Sequence, residues 1–326
     1  MALLQTRYAF SMKEIIIESS SSISLRARLL RHATRFLLHP VLSGSLSPEQ
    51  QRARLNFVTR MMKYLAPRGT LATQETLGGV PMEWVENVNS GVQGYMLYLH
   101  GGAYVIGSPQ SHRNLTANLA KQCSLRVAVI DYRLAPEHAF PAAVDDALAA
   151  YRGMLDMGIE AQDIVIAGDS AGGGLTLACA LAIRDAGLAL PAALVVLSPW
   201  TDLTNVSESM RSNAASEVML SLNGIQNYTQ QYLQGADPRT PLASPLHANL
   251  AGLPPTLIQV ADIEVLYNDS TRYAEASKKA GVETVLQVSP NLWHVWQLYA
   301  GQMPEADDAI WRIAHFVSTH IGQKNT

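Results

Sequence analysis

Residues Ile164-Val165-Ile166-Ala167-Gly168-Asp169-Ser170-Ala171-Gly172-Gly173-Gly174-Leu175 decide how the whole chain reads. A short β-branched run passes through G-x-S-x-G straight into small residues suited to a helix. This strand–turn–helix order has the form of a nucleophile elbow, whose sharp turn forces strained backbone angles on the serine. Gly168 and Gly172 suit the turn because neither has a Cβ to strike the neighbouring strand or helix. The turn lifts the Ser170 hydroxyl to the top of a sheet, and the helix behind it aims unpaired N–H groups at a bound oxygen. Alone, G-x-S-x-G is a weak signal, since turns favour both glycine and serine.

The surrounding pattern supplies a frame. Strands are expected at Thr73–Leu77 and Pro81–Asn87, turned by Gly78-Gly79, then at Tyr95–Leu99, Arg126–Asp131, Asp163–Gly168, Ala192–Ser198, Pro255–Ala261 and Thr284–Val288. Helical stretches fall between the later strands, at Ser111–Gln122, Pro141–Met157, Ala171–Ala186 and Tyr267–Ala280, with Pro304–Ile321 closing the chain. A hairpin followed by strand–helix alternation predicts an α/β fold: eight strands, mostly parallel, flanked by helices on both faces. Two helices precede the first strand. In Leu25–Leu38 the residues Leu25, Leu29, Ala33, Phe36 and Leu37 recur at helical spacing, with four arginines between them. Such a helix suits an anionic membrane, or packs its apolar stripe on the protein and leaves the arginines in water; the second is the expectation. Ser47-Pro48-Glu49-Gln50 opens the next helix as a capping box, and it runs to about Leu65. The alternation breaks again between Asp202 and Leu250. The expected division is therefore 1–72 as the first part of a helical cap, 73–202 and 248–326 as the core, and 203–247 as a cap insertion.

Composition narrows the partners. The 326 residues carry a net charge of −3, which argues against nucleic acid. No apolar run reaches the ~18 residues of a membrane span, so no stable membrane insertion is expected. Residues 1–10 lack the pattern of a secretory signal, Met12 is an alternative start, and a cytoplasmic location is the default. Cys123 and Cys179, with no C-x-x-C spacing, read as small core residues.

A serine that attacks a carbonyl needs donors for the oxyanion, a base, and an acid behind the base. His100-Gly101-Gly102-Ala103 follows the strand Tyr95–Leu99, and Gly101, Gly102 and Ala171 form a plausible three-donor hole. Among nine histidines, His294 is the best base, because Pro290-Asn291-Leu292-Trp293-His294 lies just past the last strand. Asp202, Asp262 and Glu264 all follow strand ends, and spacing does not separate Asp262 from Glu264 as the acid. Asp237 and Asp269 read as a turn and a solvated helix face. No metal or cofactor is required.

Several blocks together resemble the bacterial hormone-sensitive-lipase-like esterases of the α/β-hydrolase fold. They are Leu99-His100-Gly101-Gly102-Ala103-Tyr104, Asp131-Tyr132-Arg133-Leu134-Ala135-Pro136-Glu137-His138, Phe140-Pro141-Ala142-Ala143 and Gly168-Asp169-Ser170-Ala171-Gly172-Gly173. The resemblance runs from about Pro81 to the C-terminus. It implies an α/β-hydrolase fold with a helical cap and a serine carboxylesterase acting on short- to medium-chain acyl esters through an acyl-enzyme. The implied nucleophile is Ser170 and the implied base His294, with a small-molecule ester as partner and a homodimer as an option. The family's D-P-L-x-D-E stretch aligns with Glu264-Val265-Leu266-Tyr267-Asn268-Asp269, which favours Glu264 over Asp262 and departs from the usual aspartate. Ala103 replaces a usual third glycine. The block 131–138 buttresses the site in the family, and Met219, Leu220 and Tyr228 suit an acyl pocket. A lactone hydrolase with the same triad and a non-catalytic small-molecule receptor are the alternatives on this fold.

Overall fold

The elbow strand sits near the middle of a single nine-stranded sheet in the computed structural model, which describes residues 15–17, 22–62 and 65–322. In chain order the strands are β1 (Ile15–Ile17), β2 (Thr70–Leu77), β3 (Val80–Asn87), β4 (Gly94–Leu99), β5 (Leu125–Ile130), β6 (Ile164–Asp169), β7 (Ala193–Leu197), β8 (Thr256–Ala261) and β9 (Thr284–Ser289). Their spatial order is β1-β9-β8-β7-β6-β4-β5-β3-β2. Only β3 runs against the direction of the other eight strands. All eight expected strands are present, with ends shifted by up to three residues. The three-residue β1, which carries no sequence signal beyond three isoleucines, extends one edge by pairing with β9. Gly78 and Gly79 both have positive φ, as a two-residue hairpin turn requires, and set Leu77 opposite Val80. Residues 1–14 and 18–21, including the alternative start Met12, lie outside the described residues.

Alternation along the strands assigns the two faces. Ile164 and Ile166 of β6 join the large core under α5 (Ala142–Asp156), α6 (Ala171–Asp185) and α9 (Tyr267–Lys279). Val165 and Ala167 join the second core under α4 (Pro109–Cys123) and α10 (Pro304–His320). Both faces are covered, so the central strands are apolar throughout and not alternating. Cys123 and Cys179 are free and buried, and burial pushes both thiols up to about 12.

Helices α1 (Leu25–Leu37), α2 (His39–Leu42) and α3 (Pro48–Met62) precede the hairpin. The capping box forms: Ser47 N–H donates to Gln50 Oε1 (3.2 Å), and Gln50 N–H donates to Ser47 Oγ (3.3 Å). These helices meet α8 (Leu222–Leu233) of the segment 203–247. Gln51 Nε2 donates to the Tyr228 hydroxyl (2.9 Å), and Ser221 Oγ donates to the Ser43 carbonyl (3.0 Å). Tyr228 is thus buried packing, away from the pocket lining.

Helix α1 corrects the sequence expectation. Leu25, Leu29, Ala33, Phe36 and Leu37 face outward, while Ala27, Leu30, Thr34 and Leu38 face the protein. Apolar residues cover more than half of this helix's circumference, so periodicity did not settle which arc is buried. Small Ala27 and Thr34 allow close approach, and the Thr34 hydroxyl bonds the Tyr299 hydroxyl at 2.5 Å.

The elbow is the tightest place in the fold. A Cβ on Gly172 would collide with the carbonyl oxygen of Leu99, and one on Gly168 with the carbonyl of Gly172. Neither neighbour is a side chain that can swing away. Gly172→Ala is expected to lower stability by about 1–3 kcal/mol, the usual cost of overpacking, read as a lower urea midpoint at unchanged slope. A midpoint equal to wild type would disprove this account of the turn.

Candidate active site

Ser170 stands at the end of β6 with φ 55° and ψ −123°, a conformation that costs a non-glycine residue of order 1–3 kcal/mol. Its own peptide groups hold it there. Ser170 N–H donates to Leu197 O (2.8 Å), and Ser170 O accepts from Trp200 N–H (2.9 Å) and Gly174 N–H (3.1 Å). The Ser170 hydroxyl lies 3.0 Å from His294 Nε2, and His294 Nδ1 lies 3.1 Å from Glu264 Oε1. A carboxylate only accepts, so Nδ1 carries the proton and Nε2 presents its lone pair to the serine. Glu264 is fully buried, and its Oε2 accepts from Ser198 Oγ (2.8 Å) and Ala261 N–H (3.1 Å). Ser198 Oγ in turn accepts from Val295 N–H (3.2 Å), which ties the residue after His294 to the acid's support.

The structure separates the two carboxylates that spacing left open. Asp262 Oδ1 caps the loop by accepting from Asn291 N–H (2.7 Å), and it is not among the partners of His294. Asp202 binds His247 (3.0 Å) and Arg272 (2.9 Å). Asp269 corrects a second expectation: it is buried, not solvated. It accepts from Thr201 and Asp202 N–H (2.9 and 3.0 Å), and burial pushes its carboxyl up to about 7.

One expected oxyanion donor is also corrected. Gly101 N–H already donates to Asp169 Oδ1 (3.0 Å), so it is not available to a substrate oxygen. Among the described residues the N–H groups of Gly102 and Ala103 have no partner, and Ala171 N–H is the first of α6 and has no intrahelical acceptor. The turn sets Gly102 at φ 123° and Ala103 at φ 54°, and the pocket wall includes both. The glycine pair in the loop after Tyr95–Leu99 points to Gly101, but the sequence does not reveal the acceptor its N–H meets.

That acceptor, Asp169, is one of three site residues that sequence reasoning missed, with His112 and Glu217. Asp169 is buried, and its Oδ1 also accepts from the Tyr98 hydroxyl (2.7 Å) while Oδ2 faces His112 Nε2 (3.3 Å). Burial opposes the charge on both partners, yet their mutual attraction holds Asp169 below and His112 above their ordinary values. His100 is neutral: burial drives it down to about 3, and its Nδ1 donates to Gly101 O (2.8 Å), steadying the loop. Glu217 is the third. It is buried, accepts from Val218, Met219 and Leu220 N–H at 2.8–3.3 Å through Oε1, and from Val265 N–H (3.0 Å) through Oε2. The block 131–138 buttresses the loop. Tyr132 donates to His100 O (2.7 Å), Arg133 grips Asp146 (2.7 Å), and Arg52 of α3 pairs with Glu137 (2.7 Å).

A pocket opens above Ser170 and His294, lined by Leu38, Leu42, Leu55, Met219, Leu220 and Tyr299 among others. Residues from before the hairpin and from 203–247 therefore share its wall.

A family model described as the alpha/beta hydrolase fold matches residues 96–298. The chain is 44% identical over 248 residues to an acetyl-hydrolase of Streptomyces hygroscopicus, covering 76% of this chain and 83% of that one. It is 38% identical over 247 residues to an esterase of Acinetobacter venetianus, covering 74% and 80%. A crystal structure of an esterase from the bacterial hormone-sensitive lipase family superimposes with a TM-score of 0.87 at 38% identity, covering 92% of this chain and all of that one.

Two outcomes are expected from this geometry. Burial alone would lower the His294 pKa, but the hydrogen bond and charge of Glu264, with Glu217 and Asp169 behind, raise it above 6.5. A neutral His294 is needed to accept a proton, so the acid limb of kcat/KM should fall as pH drops through a value above 6.5. Glu264→Gln leaves burial less opposed and should move that limb downward; an unmoved limb would separate the limb from this pair. Asp169→Asn should cut kcat more than it raises KM, because Asp169, though part of the pocket lining, acts chiefly by holding the loop that bears Gly102 and Ala103. A pure KM effect would contradict that assignment.

Proposed function

The chain belongs to the bacterial hormone-sensitive-lipase-like esterases of the α/β-hydrolase fold, and we propose that it is a serine carboxylesterase for short- to medium-chain acyl esters. The observation that carries this reading is the continuous line Ser170–His294–Glu264, with contacts of 3.0 and 3.1 Å. His294 Nε2 takes the Ser170 proton as Oγ attacks the ester carbonyl. The carbonyl oxygen becomes an oxyanion facing Gly102, Ala103 and Ala171 N–H, donors whose individual loss typically costs about 3 kcal/mol of barrier. The carbon–oxygen bond to the alcohol breaks, and the leaving oxygen takes the proton from His294. Water then attacks the acyl-enzyme with His294 again as base, and the acid departs from a regenerated Ser170. Glu264 stays ionised and stabilises the imidazolium of each step.

The wall of the pocket supports this substrate class. Leu38, Leu42, Leu55, Met219 and Leu220 together offer an apolar acyl site with few polar groups. In this reading the helices α1–α3 and the segment 203–247 act as a cap over the core, whereas Ile15–Ile17 and the residues from Thr70 belong to the sheet, and the meeting of the two cap pieces bounds the chain length.

Hydrolysis of p-nitrophenyl esters from acetyl to palmitoyl tests the proposal. Turnover is expected to peak at short or medium chains and to vanish in Ser170→Ala. Glu264→Gln should fall by about a thousandfold or more, while Asp262→Asn stays near wild type. Turnover that survives Ser170→Ala, or an Asp262→Asn loss exceeding that of Glu264→Gln, would overturn the assignment.

A further inference from the structure

Apart from Arg52, which pairs with Glu137, the arginines and exposed apolar residues of the N-terminal helices are not used by the site described above. Between residues 25 and 60 the chain carries seven arginines, no lysine and one carboxylate, Glu49. That is a net +6 in a protein of net −3, so the remainder carries −9. Helix α1 itself has Arg26, Arg28, Arg31 and Arg35 and no acid. Arg26, Arg28 and Arg35 are exposed, as are Arg54 and Arg60 of α3. Beside them lies an unburied apolar stripe: Leu25 is 72% exposed, Leu29 64% and Phe36 81%, with Leu37 adjoining.

A monomeric soluble surface seldom leaves large apolar residues in register along one helix. Here the stripe is not a frayed end. The helix is capped by Ser24, whose hydroxyl accepts from Ala27 N–H (3.1 Å) and donates to Glu305 (3.0 Å), and it is pinned again by the Thr34–Tyr299 contact. So α1 is held with one apolar arc against the protein and another presented outward.

We propose that this face docks peripherally on an anionic lipid surface, with Leu25, Leu29 and Phe36 entering the headgroup–acyl boundary and the arginines meeting lipid phosphates. Charge selects this occupant over a second copy of the chain. A two-fold pairing through α1 would set four arginines against four arginines with no acid on either helix. An amphipathic helix rich in arginine and leucine or phenylalanine, lying flat, is the form that binds such surfaces. Leu38, just past α1, and Leu42 line the pocket from the buried side of these helices, on the arc away from the one that docks. Among the described residues no helix is long and apolar enough to cross a membrane, and none is needed.

The test is co-sedimentation of the full chain with vesicles of phosphatidylcholine alone or mixed equally with phosphatidylglycerol. It reads binding and requires no turnover, so it stands or fails separately from the esterase reading. Affinity for the anionic vesicles should exceed that for neutral ones by about tenfold or more and weaken steeply in 0.5 M salt. Leu29→Ser/Phe36→Ser and Arg28→Ser/Arg35→Ser should each lose it while keeping the wild-type thermal midpoint and hydrolysis of soluble esters. Equal or absent binding to the two vesicle types, or full binding by the Leu29→Ser/Phe36→Ser protein, would overturn the proposal. So would a wild-type dimer that becomes monomeric in that variant, because the stripe would then belong to a second copy.

Discussion

Everything in this molecule is arranged around the close approach of β6 and α6 at Ser170. The turn between them brings the backbone of Gly172 against Leu99 and that of Gly168 against Gly172, leaving no room for a Cβ at either glycine. Because Leu99 ends β4, the same contact fixes the start of the loop 100–107 relative to the serine. The chain thus sets nucleophile and loop together, through backbone and not through side chains. The strained Ser170 conformation persists because three peptide hydrogen bonds from β7, the following loop and α6 determine it independently.

Buried carboxylates then carry the arrangement outward. Asp169 joins the elbow to the loop through Gly101 and to α4 through His112. Glu264 joins the loop after β8 to the loops after β7 and β9 through Ser198 and His294. Glu217 fastens the segment 203–247 to Val265, one residue from Glu264. Each charge is matched by several donors, which is what makes burial of an ionised group tolerable. Removing one partner leaves the others aimed at nothing, so these acids act as rigid joints. The segment 203–247 consequently does more than cover a pocket: Asn213 donates to the carbonyls of both Asp262 and Glu264 and holds the acid's own loop.

The parts of this design legible in the sequence are those with a local signature. The elbow, the hairpin glycines, the capping box at Ser47 and the alternation of strands and helices each follow from short-range sterics, and each lies within a few residues of its expected place. His294 was legible from its position past the last strand. What escaped was decided by distant partners. Asp169 reads only as the variable residue of G-x-S-x-G until Tyr98, Gly101 and His112 are placed around it, and with it went the assignment of Gly101 as a donor. Asp269 has the spacing of a solvated helix face yet is covered by the segment after β7. Helix α1 offered two apolar arcs, and only docking against Tyr299 and Glu305 chose between them.

The glutamate at position 264 illustrates how such distant partners select a residue type. Its two oxygens serve different elements: Oε1 the His294 ring, Oε2 the Ser198 hydroxyl and Ala261 N–H. An aspartate on the same backbone would fall short by one carbon–carbon bond, about 1.5 Å, and would give up one side of that bridge unless the loop moved inward. The loop is not free to move, since Asn213 and Ser216 hold the carbonyls of residues 262–264. Side-chain length and loop position are therefore a matched pair. The departure from the family's usual aspartate is accommodated by where the segment 203–217 places the loop, and the carboxylate reaches the same imidazole nitrogen by a longer arm.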